Sequence, residues 1–252
     1  KPNSGYNWAI MSGHSHYATI HRQKEIKDAQ KGKIFSKLAK EIVIAVKTGG
    51  GGDPVSNYKL RVVIDKARAA NMPKDNVERA ITSGTTSAAN LEEATYEGFG
   101  PGGIAVIVVT ATDNRNRTAQ EIKNLFERVG GRLAGPGSVS FNFENKGLLL
   151  IPIVGDSQTQ MLTLIDMGVE DVEEMDDGIE AYTVPDKLSE IKKKIEEAGI
   201  TVSSMELYMR PKSYQVISDA EQAKKCLAFL DTLNDQDDVQ KVFTNLDIAL
   251  NE

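Results

Sequence analysis

Three imidazoles, His14, His16 and His21, fall within the run GHSHYATIHRQKE at residues 13–25, and the 252-residue chain has no others. Three ring nitrogens suffice for a catalytic zinc ion, which leaves a fourth position open for water. His14 and His16 would project together from an extended segment, with His21 joining them from the first helical turn beyond. The pattern stops short of a metal site. A structural zinc wants a fourth ligand, the lone cysteine, Cys226, is 200 positions downstream, and only Glu25 stands at a suggestive spacing. Nucleophilic catalysis fares no better, because no G-x-S-x-G elbow is present. The neighbours of the imidazoles are instead an aromatic ring and cations: Tyr17, Arg22, Lys24 and Lys27, then Lys31, Lys33 and Lys37. That mixture suits stacking on bases and contact with phosphates.

A second candidate is TDNRNRT at 112–118. Asp113 or Asn114 can cap a helix whose first turn holds Arg115 and Arg117. The helix dipole disfavours cations there, so a reason is needed. Open backbone N–H groups and two guanidinium forks would make a phosphate site; ion pairs to an acidic body are an equal alternative. Two glycine-rich stretches mislead. GFGPGG at 98–103 satisfies G-x-G-x-x-G, but a β-run follows it where a dinucleotide site needs a helix. It reads as a tight hairpin turn. GGGGD at 49–53 lacks the Lys-Ser/Thr of a phosphate loop and reads as a flexible hinge. The acidic run EDVEEMDDGIEAY at 170–182 lacks calcium-loop spacing and reads as a solvated hairpin face.

The elements that must position these residues change texture along the chain. Residues 18–31 read as a basic helix. Ile34, Leu38, Ile42 and Ala45 mark a second, and Asp53-Pro54 opens a third, buried through Leu60, Val63, Ile64 and Ala67. A fourth runs from about Pro73 to Gly84. No helix-turn-helix is evident. Residues 85–94 read as a linker. Strands then alternate with helices, and 145–210 has the βαββαβ order of a ferredoxin-like unit, with SVSFNFENKGLLLIPI read as two strands joined at Asn145–Gly147. The tail 211–252 completes the unit begun at 89–144. The expected division is thus a leader at 1–10 outside the fold with Met11 as natural start, a helical domain at 11–88, an α/β domain from 89–144 plus 211–252, and an inserted α/β domain at 145–210.

Charge follows the same division. Net charge is −6, yet residues 1–83 hold 15 Lys and Arg against 7 Asp and Glu, while the remainder holds 15 against 29. A basic module that meets an anion, beside an acidic body that does not, is the reading. One cysteine fits a reducing compartment, and no apolar run is long enough to span a bilayer.

The segments GHSHYATIHRQKEIKDAQKGKIFSKLAKEI, GGGGDPVSNYKLRVVIDKARAANMPKDNVERAI, YEGFGPGGIAVIVVTATDNRNRTAQEI and GGRLAGPGSVSFNF, in that order, resemble the YebC family. The resemblance runs from about Ser12 to the C-terminus, and MPKDN and YEGFGPGG are its most specific parts. The family includes bacterial proteins labelled transcriptional regulators and a mitochondrial translational activator of cytochrome c oxidase subunit I. It implies an α+β fold: a helical N-terminal bundle followed by two ferredoxin-like α/β domains, the third inserted into the second, in a crescent. Its members commonly carry Lys at the places of His16 and His21 and Trp at Tyr17, so neither imidazole is an obligatory metal ligand. The implied function is a non-enzymatic, nucleic-acid-binding regulator of gene expression. RNA and the large ribosomal subunit are the expected partners, with promoter DNA as the alternative. The expected protein is a cytoplasmic monomer (in the mitochondrial matrix if eukaryotic), with no metal, cofactor or membrane. The expected contact residues are His14, His16, Tyr17, His21, Arg22, Lys24, Lys27, Lys31, Lys33, Lys37, Arg115 and Arg117.

Overall fold

The computed structural model describes residues 13–16, 31–86, 90–176 and 178–250. The expected leader at 1–10 and basic helix at 18–31 fall almost wholly outside these. The chain divides into two compact units. One comprises residues 1–31, 90–144 and 210–252; the other comprises 32–89 and 145–209.

The second unit begins with helix α1 (Lys31–Thr48), whose stretch Ile42 to Val46 is buried on every side. Gly50 and Gly51, with φ of 96° and 112°, reverse the chain after it. The run GGGG is a packed corner and no hinge. Asn57, fully buried, donates from Nδ2 to the carbonyls of Ala45 at 2.9 Å and Gly51 at 2.7 Å. A Cβ on Gly49 would sit 2.1 Å from the Asn57 Oδ1 atom, so only glycine fits. The same Oδ1 accepts from Leu60 N and caps helix α2 (Tyr58–Ala69). Asp53, at which the sequence pattern opens this helix, closes a turn ahead of it instead, its carboxylate accepting from Val55 N.

Helix α3 (Lys74–Thr85) follows α2 after four residues, with Asn71 at φ 58°. Two short helices on so brief a connection share the connection length of a helix-turn-helix, which the sequence pattern had not suggested. Val62 of α2 then packs into the same core as Leu149, Ile151, Ile179, Ile191 and Ile195 of the inserted part. Bundle and insertion therefore share one interior.

The inserted part is strand β5 (Phe143–Ile151), helix α5 (Ser157–Asp166), strands β6 (Asp171–Met175) and β7 (Gly178–Thr183), helix α6 (Leu188–Glu197) and strand β8 (Ser204–Pro211). Its sheet order is β6-β7-β5-β8, the ferredoxin-like arrangement. β5 is one continuous strand rather than two. Gly147 lies within it, where a Cβ would come 2.5 Å from Thr183 Oγ1 and 2.9 Å from Leu188 Cβ, so the glycine serves close packing and not a turn. The acidic hairpin is only partly solvated: Asp171, Glu174 and Asp176 are exposed, but β7 is buried along its whole length. Glu180 is 1% exposed and accepts a hydrogen bond from the Tyr182 hydroxyl, whose pKa burial drives far above its usual value, with the Glu180 charge adding to the effect.

In the first unit, strands β2 (Glu92–Phe99), β3 (Ala105–Thr112), β4 (Arg132–Ala134) and β10 (Val239–Thr244) form an antiparallel sheet in the order β10-β3-β2-β4. The chain order is strand, strand, helix, strand, then helix and strand after the insertion. Helix α4 (Arg115–Arg128) and helix α7 (Ala220–Asp235) pack on one face of it, Phe126 meeting Phe229 edge-on at 5.0 Å. A smaller sheet joins β1 (Gly13–His16), β11 (Leu246–Leu250) and β9 (Gln215–Ile217).

Candidate nucleic-acid interface

The histidine motif is built into the fold at its start. His14 stands opposite Ala249 and His16 opposite Asp247 in the antiparallel pairing of β1 with β11. Residues 13–16 are thus extended, as the sequence pattern suggested, and are paired into a sheet. No sequence pattern could have disclosed this pairing, because its partner lies at the far end of the chain. Tyr17, His21, Arg22, Lys24 and Lys27 fall outside the described residues. Lys31 begins α1; Lys33 on the same helix is exposed and Lys37 half-buried.

Several cations of the bundle are engaged within it. Lys66 pairs with Glu41 at 3.5 Å, Arg68 with Asp65 at 3.2 Å and Lys74 with Glu78 at 3.4 Å. Arg61 donates to the carbonyls of Pro54 and Val55, bracing the turn before α2. On α3, Arg79 donates to the Asp75 carbonyl and to Asn76. Along α3, Lys74 is thus paired with Glu78, and the Arg79 guanidinium is engaged with neutral groups of its own helix. A helix that reads a DNA groove needs side chains available to base edges.

The two arginines of α4 separate in role. Asn114 is the cap, its side chain accepting from Arg117 N at 3.1 Å. The Arg117 guanidinium is 2.7 Å from Asp238 and 2.9 Å from Asp113, with Glu121 at 3.9 Å. Asp238 is buried and also accepts from Thr118 Oγ1 at 2.8 Å, so Arg117 fastens the entry of β10 to the start of α4. Arg115 is exposed and lies outside this network.

The sequence reading missed Glu97, a carboxylate 7% exposed in the middle of β2. It accepts from the backbone N–H groups of Gly137, Val139 and Ser140 at 2.8, 2.8 and 2.9 Å. Burial opposes its ionisation, but those three bonds outweigh burial and hold its pKa below the usual value. Two segments quoted above, YEGFG and GPGSVS, are therefore one clasp. Its signal was visible as an acid between two β-runs. The glycines of GFGPGG are explained by the same packing: a Cβ on Gly98 would lie 2.6 Å from the Arg132 carbonyl, and one on Gly100 2.8 Å from Phe229. Gly102 and Gly103 take φ of 73° and 77° in the turn. Among the described residues no group of three or more His, Cys, Asp or Glu side chains could hold a metal ion.

Comparison with known proteins covers almost the whole chain. Residues 15–87 match the model of the TACO1/YebC protein N-terminal domain, and residues 91–246 that of the TACO1/YebC second and third domain. A probable transcriptional regulatory protein of Geobacillus sp. strain WCH70 is 48% identical over 247 residues, covering 96% of this chain and all of the relative. One of Thermotoga petrophila is 46% identical over 242 residues, 94% of either chain. The crystal structure of a conserved hypothetical protein, Aq1575, from Aquifex aeolicus superposes with a TM-score of 0.79 at 41% identity, covering 88% of this chain and 92% of that one. The chain belongs to the TACO1/YebC family.

Proposed function

We propose that this protein is a non-enzymatic regulator of gene expression that acts by binding nucleic acid, and that its target is RNA on the large ribosomal subunit. The observation that carries the reading is the charge partition: 15 Lys and Arg against 7 Asp and Glu in residues 1–83, and the reverse imbalance beyond. A polyanion is the partner such an imbalance fits. Curated relatives named as transcriptional regulatory proteins support the coarser part, regulation of gene expression. The contacts are assigned to the segment 14–37, through His14, His16, Tyr17, His21, Arg22, Lys24, Lys27, Lys31, Lys33 and Lys37, and to Arg115. Arg117 acts through the fold. RNA is preferred to duplex DNA because the two cations of α3 are engaged locally, Lys74 with Glu78 and Arg79 with neutral groups, and irregular RNA rewards dispersed backbone contacts and stacking over a groove-filling helix. The protein acts as a monomer in the cytoplasm, or in the mitochondrial matrix of a eukaryote; among the described residues no helix is long and apolar enough to cross a membrane.

A DNA-binding transcriptional regulator is the second reading, and the α2–α3 layout favours it. One comparison separates the two. Salt-sensitive co-sedimentation with large subunits, together with altered ribosome positions and steady transcript levels in a deletion strain, is the expected result. Unchanged ribosome positions with discrete promoter footprints at physiological salt would establish the DNA reading.

A further inference from the structure

The inserted part carries an apolar surface that the described residues of its own unit leave uncovered. Helix α5 buries Gln160 and Leu164 and turns Leu162, 65% exposed, and Ile165, 47% exposed, outward one helical step apart. The loop before it exposes Ile153 and Val154. This display is held rigidly. The Gln160 side chain donates to the Pro152 carbonyl and accepts from Val154 N, both at 2.9 Å, locking loop to helix. Asp156 caps the helix through Thr159 N at 2.8 Å. The other helix of the insertion, α6, sends Ile191 and Ile195 into the core shared with Val62. Single exposed apolar residues are ordinary, but a cluster on one helix and its lead-in loop marks an interaction surface.

Charge says what would cover it. Residues 145–209 contain 14 Asp and Glu and 5 Lys. Four of those lysines are committed to carboxylates of the same part: Lys146 to Glu170, Lys192 to Glu196, Lys193 to Glu197 and Lys194 to Glu190. Asp166 follows Ile165 directly, and Glu174 and Asp176 are exposed on and just after β6, the edge strand against which α5 packs. Such a rim repels phosphate, whether of nucleic acid or of an anionic membrane. We propose that the outer face of α5 is a docking site for a Lys/Arg-rich amphipathic protein segment, its apolar side covering Leu162 and Ile165 and its cations meeting the acidic rim. The inference stands apart from the nucleic-acid reading.

The test uses the full chain and a fluorescent helical peptide of about 16 residues, with leucines at i, i+4 and i+7 and Lys or Arg elsewhere. A scrambled peptide of the same composition is the comparator. Leu162→Ser with Ile165→Ser should weaken binding by about tenfold or more, the scale of losing two anchors, with the melting temperature nearly unchanged. Asp166→Lys should weaken it and flatten its salt dependence. Equal affinity for the scrambled peptide, or undiminished affinity in the double serine variant, would overturn the proposal. So would a wild-type dimer that the same variant dissolves, which would assign the face to a second copy. A photo-crosslinker at position 162 supplies the remaining arm in cells. Adducts on a basic, apolar protein segment are expected; adducts on nucleic acid or lipid would overturn the assignment.

Discussion

Replacing Glu97 by glutamine exchanges one oxygen for an NH2 group, yet it should unfasten a corner of the first unit. The carboxylate satisfies three backbone donors, Gly137 N through Oε1 and Val139 N and Ser140 N through Oε2. A glutamine oxygen can keep the latter pair, but its amide nitrogen then faces the Gly137 N–H donor to donor. An orphaned buried donor costs about 1–3 kcal/mol, and two bonds falling from charge-assisted to neutral strength lose about 1 kcal/mol more. The expected loss is about 2–4 kcal/mol, which for a chain of this size lowers the melting temperature by about 5–15 °C. The effect depends on pH in a defined direction. The folded pKa is depressed, so the contribution is fully present above the unfolded value of about 4.3 and disappears as pH falls through the folded one. Melting curves of wild type and Glu97→Gln should be far apart at about pH 7 and converge as the pH falls below the ordinary carboxylate range. Amide exchange at 137, 139 and 140 should quicken in the variant. A variant that melts with wild type at neutral pH, or a gap that holds constant down to acid pH, would refute the clasp.

Asn57→Ala should cost about 1–3 kcal/mol, since it removes a helix cap and takes the side-chain donor from the Gly51 carbonyl, while the Ala45 carbonyl keeps Gly49 N; urea unfolding followed by circular dichroism measures it. Arg117→Ala should lower the melting temperature and leave the salt slope of nucleic-acid binding unchanged, whereas Arg115→Ala should spare stability and reduce that slope by about one. His16→Lys should leave affinity intact and purified protein free of stoichiometric zinc, which metal analysis beside the binding assay would check. A fragment of residues 11–88 should be poorly folded by circular dichroism, because Val62 loses the core it shares with the insertion.

Local patterns in the chain announced most of the elements. The stripe Ile34, Leu38, Ile42 found α1, and the alternation of strand and helix texture after residue 145 found the ferredoxin-like order, because both depend on periods of a few residues. Non-local closures escaped notice. The pairing of His16 with Asp247 spans most of the chain, and the shared interior of Val62 and Ile191 joins parts that composition assigns to separate domains. Glycines misled for a related reason. Gly49, Gly98 and Gly147 exist to admit a neighbouring atom, and sequence displays a glycine without displaying the neighbour. The arginines of α4 were identified as unusual, but which one a carboxylate had already claimed depended on Asp238, far along the chain.

The charge partition takes on a different meaning once the units are known. Residues 32–89 carry 10 Lys and Arg against 5 Asp and Glu, and they share their interior with an insertion that carries 5 against 14. The second unit as a whole is thus acidic, while its positive part is confined to the bundle. At physiological salt, charges more than about 8 Å apart are largely screened from one another. A polyanion at the bundle therefore responds to local cations and hardly to the net charge of −6. Counterion release counts those local contacts, and cations already paired, such as Lys66 and Arg68, have less to contribute. On the proposed nucleic-acid reading, the contacts assigned to the segment from His14 to Lys37 and to Arg115 are the ones a salt titration would count. On the same reading the acidic insertion would give direction: its rim disfavours a phosphate backbone at the face of α5 and favours a protein segment of opposite charge there.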